Sequence, residues 1–118
     1  MGIAFYPSYF AWFDHATHQL FASSGRSLIA WLREDGISVP IIECGARFRA
    51  PVFADDEIAV TSTPVDVRSR SLRVEHVVTR GEDEVATGFE VRVVARLTDS
   101  GKLEVSRMPR EMREWFDG

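Results

Sequence analysis

The chain has 118 residues, the size of one domain with one core, and 45% of them are hydrophobic, enough for a packed interior rather than disorder. Its formal charge of -4, from 14 Lys+Arg against 18 Asp+Glu, argues against a general binder of the nucleic-acid backbone, which needs a basic excess, and leaves room for a small local basic patch. Cys44 is the one cysteine, so no internal disulfide forms and the cytoplasm is the expected compartment. No run approaches the roughly 18 apolar residues of a membrane span. No basic segment followed by an apolar one marks a signal peptide at the N-terminus.

Residues 8–23 read as a helix. Pro7 or Ser8 starts it, since proline is tolerated in a first turn and serine caps, and Gly25 stops it. At about 100° per residue, Tyr9, Phe10, Trp12, Phe13, Ala16, Leu20 and Phe21 fill an arc about 180° wide, with Ser8, Asp14, His15, His18 and Gln19 on the rest. An apolar face so wide and aromatic implies a sheet curled around this helix. A second, short helix covers residues 26–34, with Ile29, Trp31 and Leu32 as its apolar residues, and Asp35-Gly36 ends it.

Beyond Pro40 the period becomes two, and strands are expected near residues 40–49, 57–68, 71–80, 84–98 and 102–106. In the third, Leu72, Val74, His76 and Val78 share one face, opposite Arg73, Glu75, Val77 and Thr79. In the fourth, Phe89, Val91, Val93, Ala95 and Leu97 oppose Glu90, Arg92, Val94 and Arg96. Gly81-Glu82-Asp83 and Asp99-Ser100-Gly101 are compact turn sequences, so the last three strands form an antiparallel meander. Pro51 and Asp55-Asp56 punctuate the connection between the first two. The tail, residues 109–116, adds one or two helical turns with Met112, Trp115 and Phe116 docking. The fold class is α+β.

The run Gly2-Ile3-Ala4-Phe5-Tyr6-Pro7-Ser8-Tyr9-Phe10-Ala11-Trp12-Phe13-Asp14 resembles the segment that leads into the central helix of the 4-hydroxybenzoyl-CoA thioesterase family. A second run, Phe48-Arg49-Ala50-Pro51-Val52-Phe53-Ala54-Asp55-Asp56-Glu57-Ile58, is similar to that family's Phe-x-x-Pro-x-x-x-Asp-Asp-x-Ile segment. The order of helix and strands agrees over nearly the whole chain. The resemblance implies one hot-dog domain over residues 1–118, a long helix wrapped by an antiparallel sheet, lacking the family's first strand. It also implies acyl-CoA thioesterase activity and assembly as a homodimer or homotetramer. The family's catalytic Asp stands three residues before the motif glycine, and with Gly2 as that glycine the position falls before Met1. The expectation is therefore that Met1 is an internal methionine and that the carboxylate lies upstream. The alternative is a naturally shortened chain without the usual base, and the 118-residue chain is expected to hydrolyse poorly until it is extended.

Thioester hydrolysis requires stabilisation of charge on the carbonyl oxygen and a carboxylate that attacks or activates water. A helix N-terminus offers free N–H groups and a favourable dipole. The resemblance gives the polarising role to the backbone N–H of Tyr6, with Gly2, Pro7 and Phe10 beside the substrate. Asp14, the first acid on the helix, is a candidate to orient the acyl group or to stand in as base, and it is spaced to pair with His18. The plainer alternative is a solvated or interface Asp–His pair. His15 reads as solvated or at an interface. His76, on an apolar strand face, reads as a histidine hydrogen-bonded in the core or a subunit contact, and Cys44 as a buried inert thiol. Three histidines without Cys or carboxylates at ligand spacing make no metal site. No Gly-x-Ser-x-Gly elbow is present, which argues against a serine hydrolase.

Arg68-Ser69-Arg70 bridges two strands. Guanidinium groups bind phosphates well, and the resemblance assigns this region to the nucleotide end of coenzyme A, with Arg107 and Arg110 as weaker candidates. The alternative is an exposed charged turn. No cofactor is implied, coenzyme A being part of the substrate. The leading reading is thus an acyl- or aryl-CoA thioesterase. The alternative is a non-catalytic hot-dog module that binds acyl thioesters or a protein partner. A hydratase or dehydratase is disfavoured, because no matching His-containing motif is present.

Overall fold

The computed structural model describes the backbone of residues 6–117 and the side chains of residues 8–117. Helix α1 (Tyr6–Ala22) is already formed at the first described residue, two residues before the expected start at Ser8, and includes Pro7. Tyr9, Phe13, Thr17 and Phe21, each four apart, are its fully buried residues, so a threonine sits in the middle of the aromatic stripe. The Ser23 and Ser24 hydroxyls donate to Leu20 O and Phe21 O, both at 2.6 Å, and close the helix. Helix α2 (Leu28–Asp35) begins later than expected because Ser27 is its cap, accepting from Ala30 N at 3.1 Å. Gly36 adopts φ 67° and ends it, a conformation in which any side chain is strained.

The strands are β1 (Ile37–Ser38), β2 (Ile41–Phe48), β3 (Ala59–Val65), β4 (Ser71–Arg80), β5 (Asp83–Val93), β6 (Ala95–Leu97) and β7 (Leu103–Val105). They form a four-stranded antiparallel sheet in the order β2-β5-β4-β3 and a three-stranded one in the order β1-β6-β7. The single strand expected over 84–98 is therefore two. Val94 is buried between them, its N–H donating to Arg70 O at 2.9 Å and its carbonyl accepting from Ser106 N at 2.9 Å, so the chain changes sheets there. The strand expected over 57–68 is shorter because Asp66 has φ 48°, which ends extended structure. Helix α3 (Arg110–Asp117) is the docked tail, with Met112 buried and Trp115 and Phe116 against Phe21.

Helix α1 lies against the inner face of the four-stranded sheet, antiparallel to β4. Near its start, Tyr9 and Phe13 pack with Val52, Val78, Val85 and Ala86. Near its end, Phe21 packs with Leu72, Val74, Val94, Met108 and Met112. Between the two apolar clusters is a polar waist of Thr17, His76, Glu90 and Arg92, all buried. In β5 the buried face is thus the one carrying Glu90 and Arg92, while Phe89, Val91 and Val93 lie half-buried on the other. Close approach of helix and sheet depends on Gly88: a methyl group there would collide with the Phe13 ring. Cys44 is exposed and not buried as expected, because it lies on β2, an edge strand of the sheet.

Candidate active site

Helix α1 is described from Tyr6 onward, so Tyr6 lies at the N-terminal end of its described part, the end at which the helix dipole leaves partial positive charge. Gly2 and the side chain of Pro7 lie outside the described residues.

Phe10, Asp14 and His18 follow at four-residue spacing and share one stripe of α1. Eight residues at about 1.5 Å each put Asp14 roughly 12 Å from Tyr6 along the axis. Phe10 is 37% exposed, its ring edge-on to Phe13 at 6.2 Å. Asp14 Oδ2 faces His18 Nε2 at 3.7 Å, so the pair expected from spacing forms, and Oδ1 accepts from Arg92 Nη2 at 2.7 Å. These three side chains are the polar wall of a cavity of about 300 Å³, whose apolar wall comes from Leu28, Ile29 and Leu32 of α2 with Val39 and Ile41. An apolar pocket with a few convergent polar groups is the usual form of a small-molecule site.

Arg92 does not stand out in the sequence, yet it is the hub. Its Nη1 donates to Val39 O at 3.0 Å, its Nε to Glu90 Oε1 at 3.2 Å, and its Nη2 reaches Asp14. Glu90 also accepts from the Thr17 hydroxyl at 2.5 Å and faces His76 Nε2 at 3.4 Å. Ser62 Oγ lies 2.8 Å from His76 Nδ1, and the His76 ring stacks on Phe13 at 4.7 Å. His76 is thus the hydrogen-bonded core histidine expected from its strand face. The available signal for the rest was two opposite charges, Glu90 and Arg92, on one face of an otherwise apolar strand. Burial pushes the Glu90 carboxyl up, but hydrogen bonds with His76 and Thr17 and the charge of Arg92 outweigh it, so it lies below the ordinary glutamate value.

Arg68, Ser69 and Arg70 lie on an exposed loop between β3 and β4. Arg68 is gripped by Asp66 through Nε–Oδ1 at 3.1 Å and Nη2–Oδ2 at 3.2 Å, a pair that raises its pKa. Arg70 has no ion-pair partner among the described residues. Arg110 pairs with Glu114 at 2.9 Å. His15 is exposed, as expected. Asp56, in the second motif, braces the chain structurally by accepting from Phe53 N at 2.8 Å and from Arg80 Nη1 at 2.9 Å.

The candidate residues are not all brought together in one copy. Tyr6 is at the start of α1, whereas the 67–70 loop adjoins Met108 and the cluster at the helix end. The 17 residues of α1 separate them by about 24 Å. Among the described residues, no three His, Cys, Asp or Glu side chains are grouped to hold a metal, and no helix is long and apolar enough to cross a membrane.

Against known proteins, the model of the thioesterase superfamily matches residues 1–87. The chain is 30% identical to 4-hydroxybenzoyl-CoA thioesterase from Pseudomonas sp. strain CBS-3 over 122 residues, 96% of this chain and 84% of that one. A solved structure of 4-hydroxybenzoyl CoA thioesterase, a mutant complexed with 4-hydroxybenzoyl CoA, superposes with a TM-score of 0.86 at 30% identity, covering 97% of this chain and 86% of that one. A gentisyl-coenzyme A thioesterase gives 0.86 at 28% identity, covering 99% and 89%. The chain belongs to the thioesterase superfamily, a thioester hydrolase built on the hot-dog fold.

Proposed function

We propose that this protein hydrolyses an aryl-CoA thioester, with the carbonyl oxygen bound by the Tyr6 N–H and the acyl group lying along the Phe10–Asp14 stripe. The observation that carries this is that Tyr6, at the N-terminal end of the described part of α1, lies within the motif that resembles the family's helix entry. Two relatives are named for 4-hydroxybenzoyl and gentisyl groups, both hydroxylated aryl acids. Asp14, fixed by Arg92 and half-exposed, offers an acceptor to such a hydroxyl. Because its Oδ1 is taken by a guanidinium and it lies two turns from Tyr6, it serves orientation better than base catalysis. The resemblance places the attacking or activating carboxylate three residues before the motif glycine, outside the described residues. The nucleotide end falls to Arg68, Ser69 and Arg70.

The 24 Å between Tyr6 and that loop, about 1.5 Å for each residue of α1, favours a site shared by two copies. Strand β2 supports pairing: it is an edge, and it exposes Ile41, Ile42 and Phe48. A cytoplasmic location is in keeping with the lone, unpaired Cys44.

The test is release of coenzyme A thiol from 4-hydroxybenzoyl-, benzoyl-, short- and long-chain acyl-CoAs, on this chain and on an N-terminally extended version. A kcat/KM highest for the hydroxylated aryl substrate is expected. Binding without turnover by both versions makes the protein a non-catalytic module. Preference for long aliphatic chains refutes the aryl assignment.

A further inference from the structure

We propose that the C-terminal segment, residues 106–117, shapes the 67–70 loop for phosphate, with Arg113 as a positioning residue and Arg107 as an added phosphate ligand. This rests on the reading above that the loop takes the nucleotide end of the substrate.

All four carbonyls of the loop are engaged by the protein. Val67 O and Arg68 O accept from Arg113 Nη1 at 3.5 and 3.0 Å. Ser69 O accepts from Met108 N at 2.7 Å, and Arg70 O from Val94 N at 2.9 Å. In a trans peptide the N–H points opposite to the C=O, and no cis bond occurs among the described residues. Drawing the carbonyls of Arg68 and Ser69 towards the C-terminal segment therefore turns the N–H groups of Ser69 and Arg70 the other way. Neither N–H meets an acceptor among the described residues, and both residues are exposed. The negative ends of these peptide dipoles face the protein and the positive ends face solvent, which is the polarity an anion requires.

Charge follows the same pattern. Arg68 is held by Asp66, Arg110 by Glu114 and Arg113 by Asp117, while Arg70 and Arg107 have no ion-pair partner among the described residues. The bond from Met108 N to Ser69 O sets Arg107 directly beside the loop. Two unpaired guanidiniums and two free N–H groups thus occupy one patch of a chain whose net charge is -4. The clamp has a firm base. Met112 is buried, and Arg26 ties Glu111 of α3 to Asp35 of α2, both at 2.8 Å.

The experiment measures Kd for two ligands on Arg113→Ala, Arg107→Ala and Arg70→Ala. One ligand is coenzyme A; the other is 4-hydroxybenzoyl-N-acetylcysteamine, which has the acyl arm and no nucleotide. Arg113→Ala and Arg107→Ala should each weaken coenzyme A about five- to ten-fold, the loss of one charge-assisted contact or of its positioning. Their affinity for the short thioester should stay within about two-fold of the original. Arg113→Lys, able to donate to one carbonyl, should recover part of the loss. If Arg113→Ala disturbs folding, Arg107→Ala carries the test, because its side chain is exposed and makes no hydrogen bond or ion pair among the described residues. Unchanged affinity for coenzyme A in both, or an equal loss for both ligands, overturns the proposal. Should Arg70→Ala weaken coenzyme A while the other two do not, the clamp alone is wrong. If Arg70→Ala has no effect either, the nucleotide reading of the loop falls with it.

Discussion

Glu90 decides the charge balance of the core. Its ionised form is stabilised by His76, Thr17 and Arg92 against the cost of burial, and its pKa is lowered. The folded value lies below the unfolded one, ~4.3 for a model glutamate, so the stability it contributes is complete above that pH and is lost as pH falls through the folded value. Glu90→Gln should therefore flatten the acid limb of a stability-versus-pH curve, followed by chemical denaturation between about pH 3 and 6. Glu90→Ala should cost about 3 kcal/mol at neutral pH, because it strips Arg92 of a buried counter-charge. Asp14→Asn tests the acyl pocket at the same scale. It keeps the side-chain shape and removes the charge facing Arg92. It should raise KM for 4-hydroxybenzoyl-CoA roughly 10-fold more than for benzoyl-CoA, the worth of a hydrogen bond to a charged group. Equal effects on both substrates would remove Asp14 from the acyl site.

At the scale of elements, α1 and β5 are matched surfaces, and their fit depends on a glycine. Phe13 occupies the space a side chain on Gly88 would need, with Gly45 O also only 3.0 Å from the Cβ position. Gly88→Ala should lower stability by about 1–3 kcal/mol through overpacking, read from the denaturation midpoint. The 67–70 loop is a different kind of element, with exposed side chains on a backbone whose four carbonyls are engaged from behind. Arg68→Ala combined with Arg70→Ala should raise KM for acyl-CoA with kcat nearly unchanged, the pattern of lost uniform binding. Unchanged KM would make these arginines surface charge alone. The bidentate grip of Asp66 on Arg68 makes Arg70 the larger contributor of the two.

For the whole molecule, the unequal edges of the main sheet matter most. Strand β3 carries Pro64, which lacks an N–H and suits a terminal edge. Strand β2 has no proline, spans eight residues and exposes Ile42 at 62% where the register shifts against β5. Pairing there would cover apolar surface that a small domain can ill leave in water, and would bring a second copy to the helix side that carries Phe10 and Asp14. Light scattering at micromolar concentration should give at least a dimer, and Ile42→Lys should shift it towards monomer. A monomeric wild type would end the shared-site reading.

The α+β class, the long aromatic helix, the β4–β5 hairpin and the docked tail all followed from periodicity and turn residues, because each is a local pattern with a local cause. The Asp14–His18 pair followed in the same way, from four-residue spacing. What pattern alone could not give was which side of β5 faces inward. Phe89 and Val91 look like core and Glu90 and Arg92 like surface, and transfer energies alone choose that arrangement. The tertiary structure reverses it, because Thr17 and His76 sit across from Glu90 and Asp14 sits across from Arg92, so each buried polar group finds a partner. Partners 73 and 78 residues apart in the chain leave no local trace. For the same reason the exposure of Cys44, the break at Val94 and the grip of Arg113 on the 67–70 loop were decided only when the strands took their order in the sheets.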